Sequence, residues 1–222
     1  MTAIRLLAFP RKSHRKAVIL PRPSRNLAEL FGIMIGDGGI NNPWQANVSL
    51  NSVADAEYVV YVGELFRKLF GVTAVVRKRK ERNTAVVSLS STTVVDFLVS
   101  NGLPRGDKLK SGLRIPDWIL ARDSWRNACV RGLMDTDGCL YIHRHTVSGK
   151  QYRNIGLCFS SRSPQLLRQV AAILEECKIT PHLNTKGTEI YLYQADAVTR
   201  YLQLFGTANS RISSVYSAWK DG

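Results

Sequence analysis

Cysteine is scarce in this sequence and follows no pattern. The 222 residues include four, Cys129, Cys139, Cys158 and Cys177, and no two are spaced as CxxC. Such spacing fits neither a zinc finger nor a disulfide framework and points to free thiols in a reducing compartment. Long apolar runs are also missing. None approaches the roughly 20 residues that cross a bilayer, and no apolar signal-peptide core lies near Met1. The expectation is a protein that is neither secreted nor membrane-bound, working in the cytoplasm, the nucleoid or an organelle. Acid is the third scarcity. Only 17 Asp+Glu stand against 31 Lys+Arg, giving a formal charge of +14 and a pI near 10.0. Excess Lys and Arg neutralise phosphates, so nucleic acid is the expected partner. Ribosomal, RNA-processing and membrane-surface proteins share such charge. Hydrophobic residues, by contrast, make up 45%, enough for the core of one large domain or two small ones.

Residues 1–25 hold seven basic side chains, Arg5, Arg11, Lys12, Arg15, Lys16, Arg22 and Arg25, and no Asp or Glu. A DNA-touching arm, an organellar targeting segment and a solvated tail all fit. Val18-Ile19-Leu20 reads as a short strand or a packing anchor. From Leu27 the apolar spacing turns helical, with Leu27, Leu30, Phe31, Met34 and Ile35 on one face, and it stops at Asp37-Gly38-Gly39. Strand-like segments follow at Val48–Leu50, Val72–Val76 and Ala85–Leu89, with helices at Glu57–Phe70 and Val94–Val99. The order then recurs: a helix ending at Asp137-Gly138, strands near Leu140–His145 and Ile155–Phe159, and a helix over Gln165–Cys177. Strands near His182–Asn184 and Glu189–Tyr193 and a last helix over Ala197–Phe205 complete it. Asn47–Leu50 matches Asn154–Leu157 at an offset of 107, and Gly71–Thr73 matches Lys178–Thr180 at the same offset, while the two Asp-Gly pairs lie 100 apart. Tandem duplication with an insertion of about seven residues explains this. Each half reads as αββαββα, with a basic arm over 1–25, a first half over 26–125 and a second over 126–222.

Both leading helices finish on an aspartate. A carboxylate there opposes the negative helix end and its unpartnered carbonyls, unless a cation sits among them. Oxygen-rich surroundings favour Mg²⁺ or Ca²⁺. Small residues one turn apart, Gly32 and Gly36 in one helix and Gly132 and Thr136 in the other, would let the two helices pack closely. Paired in parallel, they would bring Asp37 and Asp137 side by side. Carboxylates so placed repel unless a metal lies between them, and metal so held suits phosphodiester hydrolysis.

Leu30-Phe31-Gly32-Ile33-Met34-Ile35-Gly36-Asp37-Gly38 resembles a LAGLIDADG motif, and Val130-Arg131-Gly132-Leu133-Met134-Asp135-Thr136-Asp137-Gly138 resembles a second. Gly102-Leu103-Pro104 and Ile115-Pro116-Asp117-Trp118-Ile119 resemble the family's connecting region, so the resemblance spans residues 26–212. It implies a single-chain homing endonuclease of α+β class, its pseudo-symmetric repeats forming a saddle of antiparallel sheets over double-stranded DNA. Both strands would be cut across the minor groove, by a monomer, at a long asymmetric site. It further implies that Asp37 and Asp137 bind Mg²⁺, with Ca²⁺ or Mn²⁺ able to substitute in binding, and that the Gly36 and Thr136 carbonyls are secondary ligands. Ile35 and Val130 depart from the motif; Asp135 keeps the acid that Ile35 lacks. The family also places a basic residue near each metal. Lys108, after Gly102, and Arg211, after Gly206, are the matching positions, with Arg162 a further candidate; surface charge or phosphate contact is the other reading for both.

Arg77, Lys78, Arg79, Lys80 and Arg82 read as a basic hairpin tip gripping phosphate, or as a solvated loop. In the second half His143, Arg144 and His145, then Lys150, Gln151 and Arg153 around a Ser148-Gly149 turn, with Lys186 in the Asn184–Glu189 loop, are candidate DNA contacts. Alternation puts Tyr141, His143 and His145 on one strand face. Asn41, Trp44, Gln45 and Asn47 are the first-half candidates, since planar amides suit base edges. His143-x-His145 has no third metal ligand nearby. Two alternatives remain: an RNA maturase, with intron RNA as partner, and a catalytically silent DNA-binding regulator. An intein is not expected, for the termini are not of splicing type.

Overall fold

A computed structural model describes residues 17–79 and 82–221. The first half runs α1 (Arg25–Gly36), β1 (Gly38–Asn42), β2 (Gln45–Asn51), α2 (Ala56–Phe70), β3 (Val75–Arg79), β4 (Thr84–Ser90) and α3 (Thr92–Ser100). A four-residue helix, α4 (Asp117–Leu120), precedes the second half. That half repeats the order as α5 (Asp123–Asp137), β5 (Gly138–Val147), β6 (Lys150–Ser160), α6 (Pro164–Glu176), β7 (His182–Leu183), β8 (Glu189–Leu192) and α7 (Ala195–Leu204), before α8 (Ser210–Lys220). Each half forms one antiparallel four-stranded sheet, ordered β1-β2-β4-β3 and β5-β6-β8-β7. The expected α+β class and tandem αββαββα order therefore hold.

Local chemistry explains the boundaries. The Ser24 and Ser91 hydroxyls accept from the backbone N–H groups of Leu27 and Val94 and start α1 and α3, and Ser163 does the same for α6 with Pro164 behind it. Gly71 closes α2 at φ 67°, and its repeat counterpart Lys178 takes φ 58° after α6. Ser148 and Gly149, at φ 51° and 79°, make the two-residue turn between β5 and β6. The extra length of the second half lies in this hairpin, whose strands have 10 and 11 residues against 5 and 7 for β1 and β2.

One face of each sheet packs on helices. Ala46, Val48, Leu50, Ala85, Val87 and Leu89 are buried on the first, and Leu140, Ile155, Leu157, Phe159, Ile190 and Leu192 on the second. Val18 joins the first core, and the Ile19 N–H donates to the Phe70 carbonyl at 2.9 Å, so that segment is a packing anchor and not a strand. The rest of the basic arm, residues 1–16, lies outside the described residues. Among the described residues no helix is long and apolar enough to cross a membrane.

Three sequence expectations need correction. A strand, β1, precedes Val48–Leu50; its Gly-Gly-Ile-Asn-Asn composition hid it. The strand expected at Val72–Val76 is Val75–Arg79, an edge strand exposed along its whole length and set by pairing with β4 rather than by hydrophobic pattern. Arg77, Lys78 and Arg79 thus lie within a strand, not at a hairpin tip. The helix ending at Phe205 is not the last, because α8 follows it.

Candidate active site

The centre of the molecule is the crossing of α1 and α5. Neither helix has room for side chains at its point of contact. A Cβ on Gly32 would lie 2.0 Å from the Cys129 carbonyl oxygen, and one on Gly132 would lie 2.4 Å from that of Glu29. Farther along, a Cβ on Gly36 would meet the Thr136 hydroxyl oxygen at 2.1 Å and Asp137 Oδ2 at 3.2 Å. Numbers rise together along both helices, so they run parallel and finish at the same end. Backbone contact this close requires glycine, as the spacing of small residues suggested. Above the crossing, fully buried Glu29 binds the Arg131 guanidinium and accepts from the Tyr61 hydroxyl at 2.7 Å.

Asp37 and Asp137 stand at this shared end, each followed by a glycine whose Cβ would strike Met34 or Met134 of its own helix. Burial raises the Asp37 carboxyl to about 6, further helped by Asp55 and opposed by Lys108 and Arg211. Burial and the charge of Asp37 raise Asp137 to about 7, with Lys108 opposing. The two basic positions, Lys108 expected from the family resemblance and Arg211 from the repeat, converge here. The Lys108 ammonium donates to the carbonyls of Ile35 and Gly36 at 2.9 and 2.5 Å, closing the end of α1 and facing both carboxylates. Burial pulls this ammonium below its ordinary value, against the pull of Asp137 and Asp37. Arg211 lies at the end of α5, where it donates to the Gly138 carbonyl at 3.3 and 3.4 Å and pairs with Asp55 at 3.0 Å.

This donor set suits a hard divalent cation. Two half-buried carboxylates held above their ordinary values are relieved by positive charge, and every donor is oxygen. Among the described residues no cluster of three or more His, Cys, Asp or Glu side chains could hold a metal, so carbonyl, water or phosphate oxygens would fill the remaining positions. The Gly36 carbonyl, expected as such a ligand, is engaged by Lys108. The Thr136 hydroxyl turns back to the carbonyls of Gly132 and Leu133, both at 3.0 Å. The third motif acid, Asp135, points elsewhere. It accepts from the Thr207 hydroxyl and, at 2.8 Å, from the Ala208 N–H, tying α5 to the α7–α8 loop. The motif position that differs between the halves is therefore structural, with buried Ile35 on the other side.

The raised carboxyls have a consequence for stability. Folding favours their protonated forms, so their contribution is whole below about pH 4 and is lost as pH rises through about 6 and 7. Asp137→Asn is expected to stabilise the metal-free protein at pH 8 by on the order of 2 kcal/mol. The gain should shrink towards pH 4. Thermal unfolding in chelator at several pH values checks this, and an Asn variant no more stable than wild type at pH 8 would refute it.

The sequence did not flag Asp55, which bonds both Arg211 and the Asn209 amide. As the residue before a helix it looks like an ordinary cap. It also missed a cavity of about 350 Å³ beside Asp137 and Lys108, lined further by Ser160, Ser161, Arg162 and Glu189. The candidate Arg162 therefore does border the site.

Of the expected DNA contacts, Gln45, Asn47, Arg77 and Arg79 lie on the open face of the first sheet, turned away from the helices, and Asn41 is exposed beside buried Ile40. Trp44 is 39% exposed in the β1–β2 turn. Lys78 points to the opposite face, because strand residues alternate. Lys80 is outside the described residues, and Arg82 is exposed in the β3–β4 turn. On the second sheet His143 and His145 share the open face with Tyr141, as alternation required, and their rings stack at 5.1 Å. Lys150 lies on that face at the hairpin end, and Lys186 is exposed in the β7–β8 turn. Arg144, Gln151 and Arg153 lie on the other face, the one continuing from Leu140 and Ile155. Arg153 donates to the Ala218 carbonyl at 2.8 Å, a contact with α8 that sequence reading could not foresee.

Two family models match the chain, a LAGLIDADG-like domain over residues 124–214 and a WhiA LAGLIDADG-like domain over residues 28–105. No curated protein matches it significantly. Among solved structures, the I-LtrWI LAGLIDADG homing endonuclease bound to target DNA is 10% identical at a TM-score of 0.59, the match covering 89% of each chain. The I-SmaMI LAGLIDADG homing endonuclease bound to cleaved DNA gives 10% and 0.58, covering 91% of this chain and 89% of that one. I-DmoI in complex with DNA and Mn gives 14% and 0.52, covering 83% and 98%. At such identities the structures establish the fold. With a LAGLIDADG-type domain matched in each half and a motif helix ending on aspartate in both, the chain belongs to the LAGLIDADG family in its single-chain, two-motif form.

Proposed function

We propose that the protein is a homing endonuclease that cuts both strands of DNA at a long asymmetric site with the help of a divalent metal. The observation that carries this is the meeting of Asp37 and Asp137 at the shared end of two parallel helices, with Lys108 facing both. Asp37 and Asp137 would hold the cation, Mg²⁺ by preference with Mn²⁺ or Ca²⁺ able to bind. Thr136 would offer its carbonyl oxygen, and the Gly36 carbonyl, which accepts from Lys108, would offer its second lone pair. A cation so held activates water and stabilises a leaving oxygen in phosphodiester hydrolysis. Lys108 and Arg211 offset negative charge at the two helix ends, and the +14 chain draws DNA to the site. The open sheet faces are proposed to lie on the duplex, since similar structures include one bound to cleaved DNA and one in complex with DNA and Mn. Because both halves sit in one chain and differ, a monomer should suffice and its site should not be a strict palindrome.

Metal exchange tests the reading. Duplexes recovered by binding in Ca²⁺ should remain intact there, be cut in both strands when Mg²⁺ replaces Ca²⁺, and be spared when chelator is added. Cutting that persists in excess chelator would sink the metal mechanism. The model matching the first half bears the name WhiA and not that of an endonuclease. This observation favours, as the second reading, a silent DNA-binding regulator on the same fold, which would bind those duplexes and cut none of them. Binding confined to intron RNA would instead identify a maturase.

A further inference from the structure

The two sheets have the same strand order but carry different chemistry on their open faces. On the first, cross-strand register places Gln45 opposite Ser90, Asn47 opposite Ser88, Ser49 opposite Val86, and Arg77 and Arg79 beside Val86 and Thr84. Amide, hydroxyl and guanidinium groups dominate, and Gln45 is held by a 3.2 Å bond to the Ser90 hydroxyl. On the second, the same parity gives rings. Tyr141, His143 and His145 line β5, Tyr152 stands opposite His145, Tyr191 and Tyr193 extend from β8, and His182 pairs with Tyr191. These rings stack on one another: His143 on His145 at 5.1 Å, His145 on Tyr152 at 5.5 Å, and Tyr191 on Tyr193 at 5.2 Å. Within the strands Asn154 is the one amide side chain on that face, and Arg144, Gln151 and Arg153 are turned away. Lys150 and Glu189 stand at its margins, with the Asn184 amide donating to Glu189 at 2.8 Å just beyond β7.

Amide and guanidinium groups make paired hydrogen bonds to single base edges, which discriminate strongly in the major groove. A Tyr hydroxyl or an imidazole nitrogen meets a base edge through a single hydrogen bond, and stacked rings present apolar edges that discriminate weakly, with some preference for the thymine methyl. Resting on the endonuclease reading above, we propose that sequence information is concentrated in the half-site under the first sheet. The half-site under the second sheet is held mainly by ring contacts, with relaxed sequence demand and a preference for thymine. Gln45, Asn47, Arg77 and Arg79 are then the specificity-determining residues, and the His143–His145–Tyr152 stack supplies affinity.

The test is the relative affinity of the full chain, in Ca²⁺, for every single-base variant of a duplex it selects. Substitutions in one contiguous half-site are expected to weaken binding about 10- to 100-fold each, and those in the other about threefold or less. Asn47→Ala should erase discrimination at one or two positions of the strict half. Tyr152→Ala should weaken binding to all duplexes by a similar factor, removing at most a weak thymine preference and leaving the strict half of the profile unchanged. Equal discrimination in both halves, or a Tyr152→Ala profile altered as sharply as that of Asn47→Ala, would overturn the proposal while leaving the endonuclease reading standing. Absence of any selected duplex would overturn both.

Discussion

Asp37→Asn and Asp137→Asn are each expected to abolish double-strand cleavage, by at least 10³-fold, while DNA binding persists or strengthens slightly. Asparagine keeps the size of aspartate but is a neutral amide, and a carboxylate that helps hold a hard cation has no neutral substitute. The fold should survive, because metal-free Asp37 and Asp137 are unfavourably charged near neutral pH and the amides remove that cost. Affinity should survive too, since one negative charge facing the phosphates has gone. Slow nicking by one variant would mean that the two strands use partly separate ions. Gel assays of supercoiled and linear target, beside binding in Ca²⁺, separate these effects. Wild-type cutting by both variants would remove the aspartates from the chemistry and leave the chain a binding protein.

Gly32→Ala is expected to be strongly destabilising. The new Cβ would fall 2.0 Å from a backbone oxygen of the facing helix, and no rotamer change can relieve contact between two backbones. The helices must separate, which spoils the packing around Ile33, Met34 and Leu133 and moves the aspartates apart. Overpacking of this kind costs about 3 kcal/mol or more, enough to lower the unfolding midpoint by several degrees and to cut activity even in the molecules that remain folded. Gly132→Ala, at its repeat position, should behave alike, with 2.4 Å to the Glu29 oxygen. Gly63→Ala is the control, because a Cβ there meets nothing within 4 Å. Equal thermal midpoints for Gly32→Ala and Gly63→Ala would show that the two helices do not meet as described.

The paired helices and their aspartates were legible in the sequence because each signal is local: a 3.6-residue apolar period, small residues one turn apart and an acid at a helix end. The longer helices α2 and α6 were legible for the same reason. Edge strand β3 was not, since it buries nothing and exists only by pairing with β4. Helix α8 could have been found: Asn209 caps it, and Ile212, Val215, Tyr216 and Trp219 recur on one face and pack on the core. Arg144 and Arg153 were grouped with the DNA contacts by composition, although alternation from Tyr141 already assigns Arg144 to the other face; Arg153 follows it there by cross-strand register. Lys108 was expected from the family resemblance and Arg211 as its counterpart in the repeat, neither from a motif of its own. Asp55 stayed hidden because its partnership with Arg211 joins residues 156 positions apart, and only the folded chain brings them together.

The most direct measurement is to expose a library of randomised DNA duplexes to the purified 222-residue chain in Mg²⁺, then capture and sequence the fragment ends. Cuts in both strands at one recurrent, non-palindromic sequence, lost in chelator and lost in Asp37→Asn and Asp137→Asn, are the expected result. An end distribution indistinguishable from that of the double Asn variant would contradict the assignment of Asp37 and Asp137 as the residues that cut DNA.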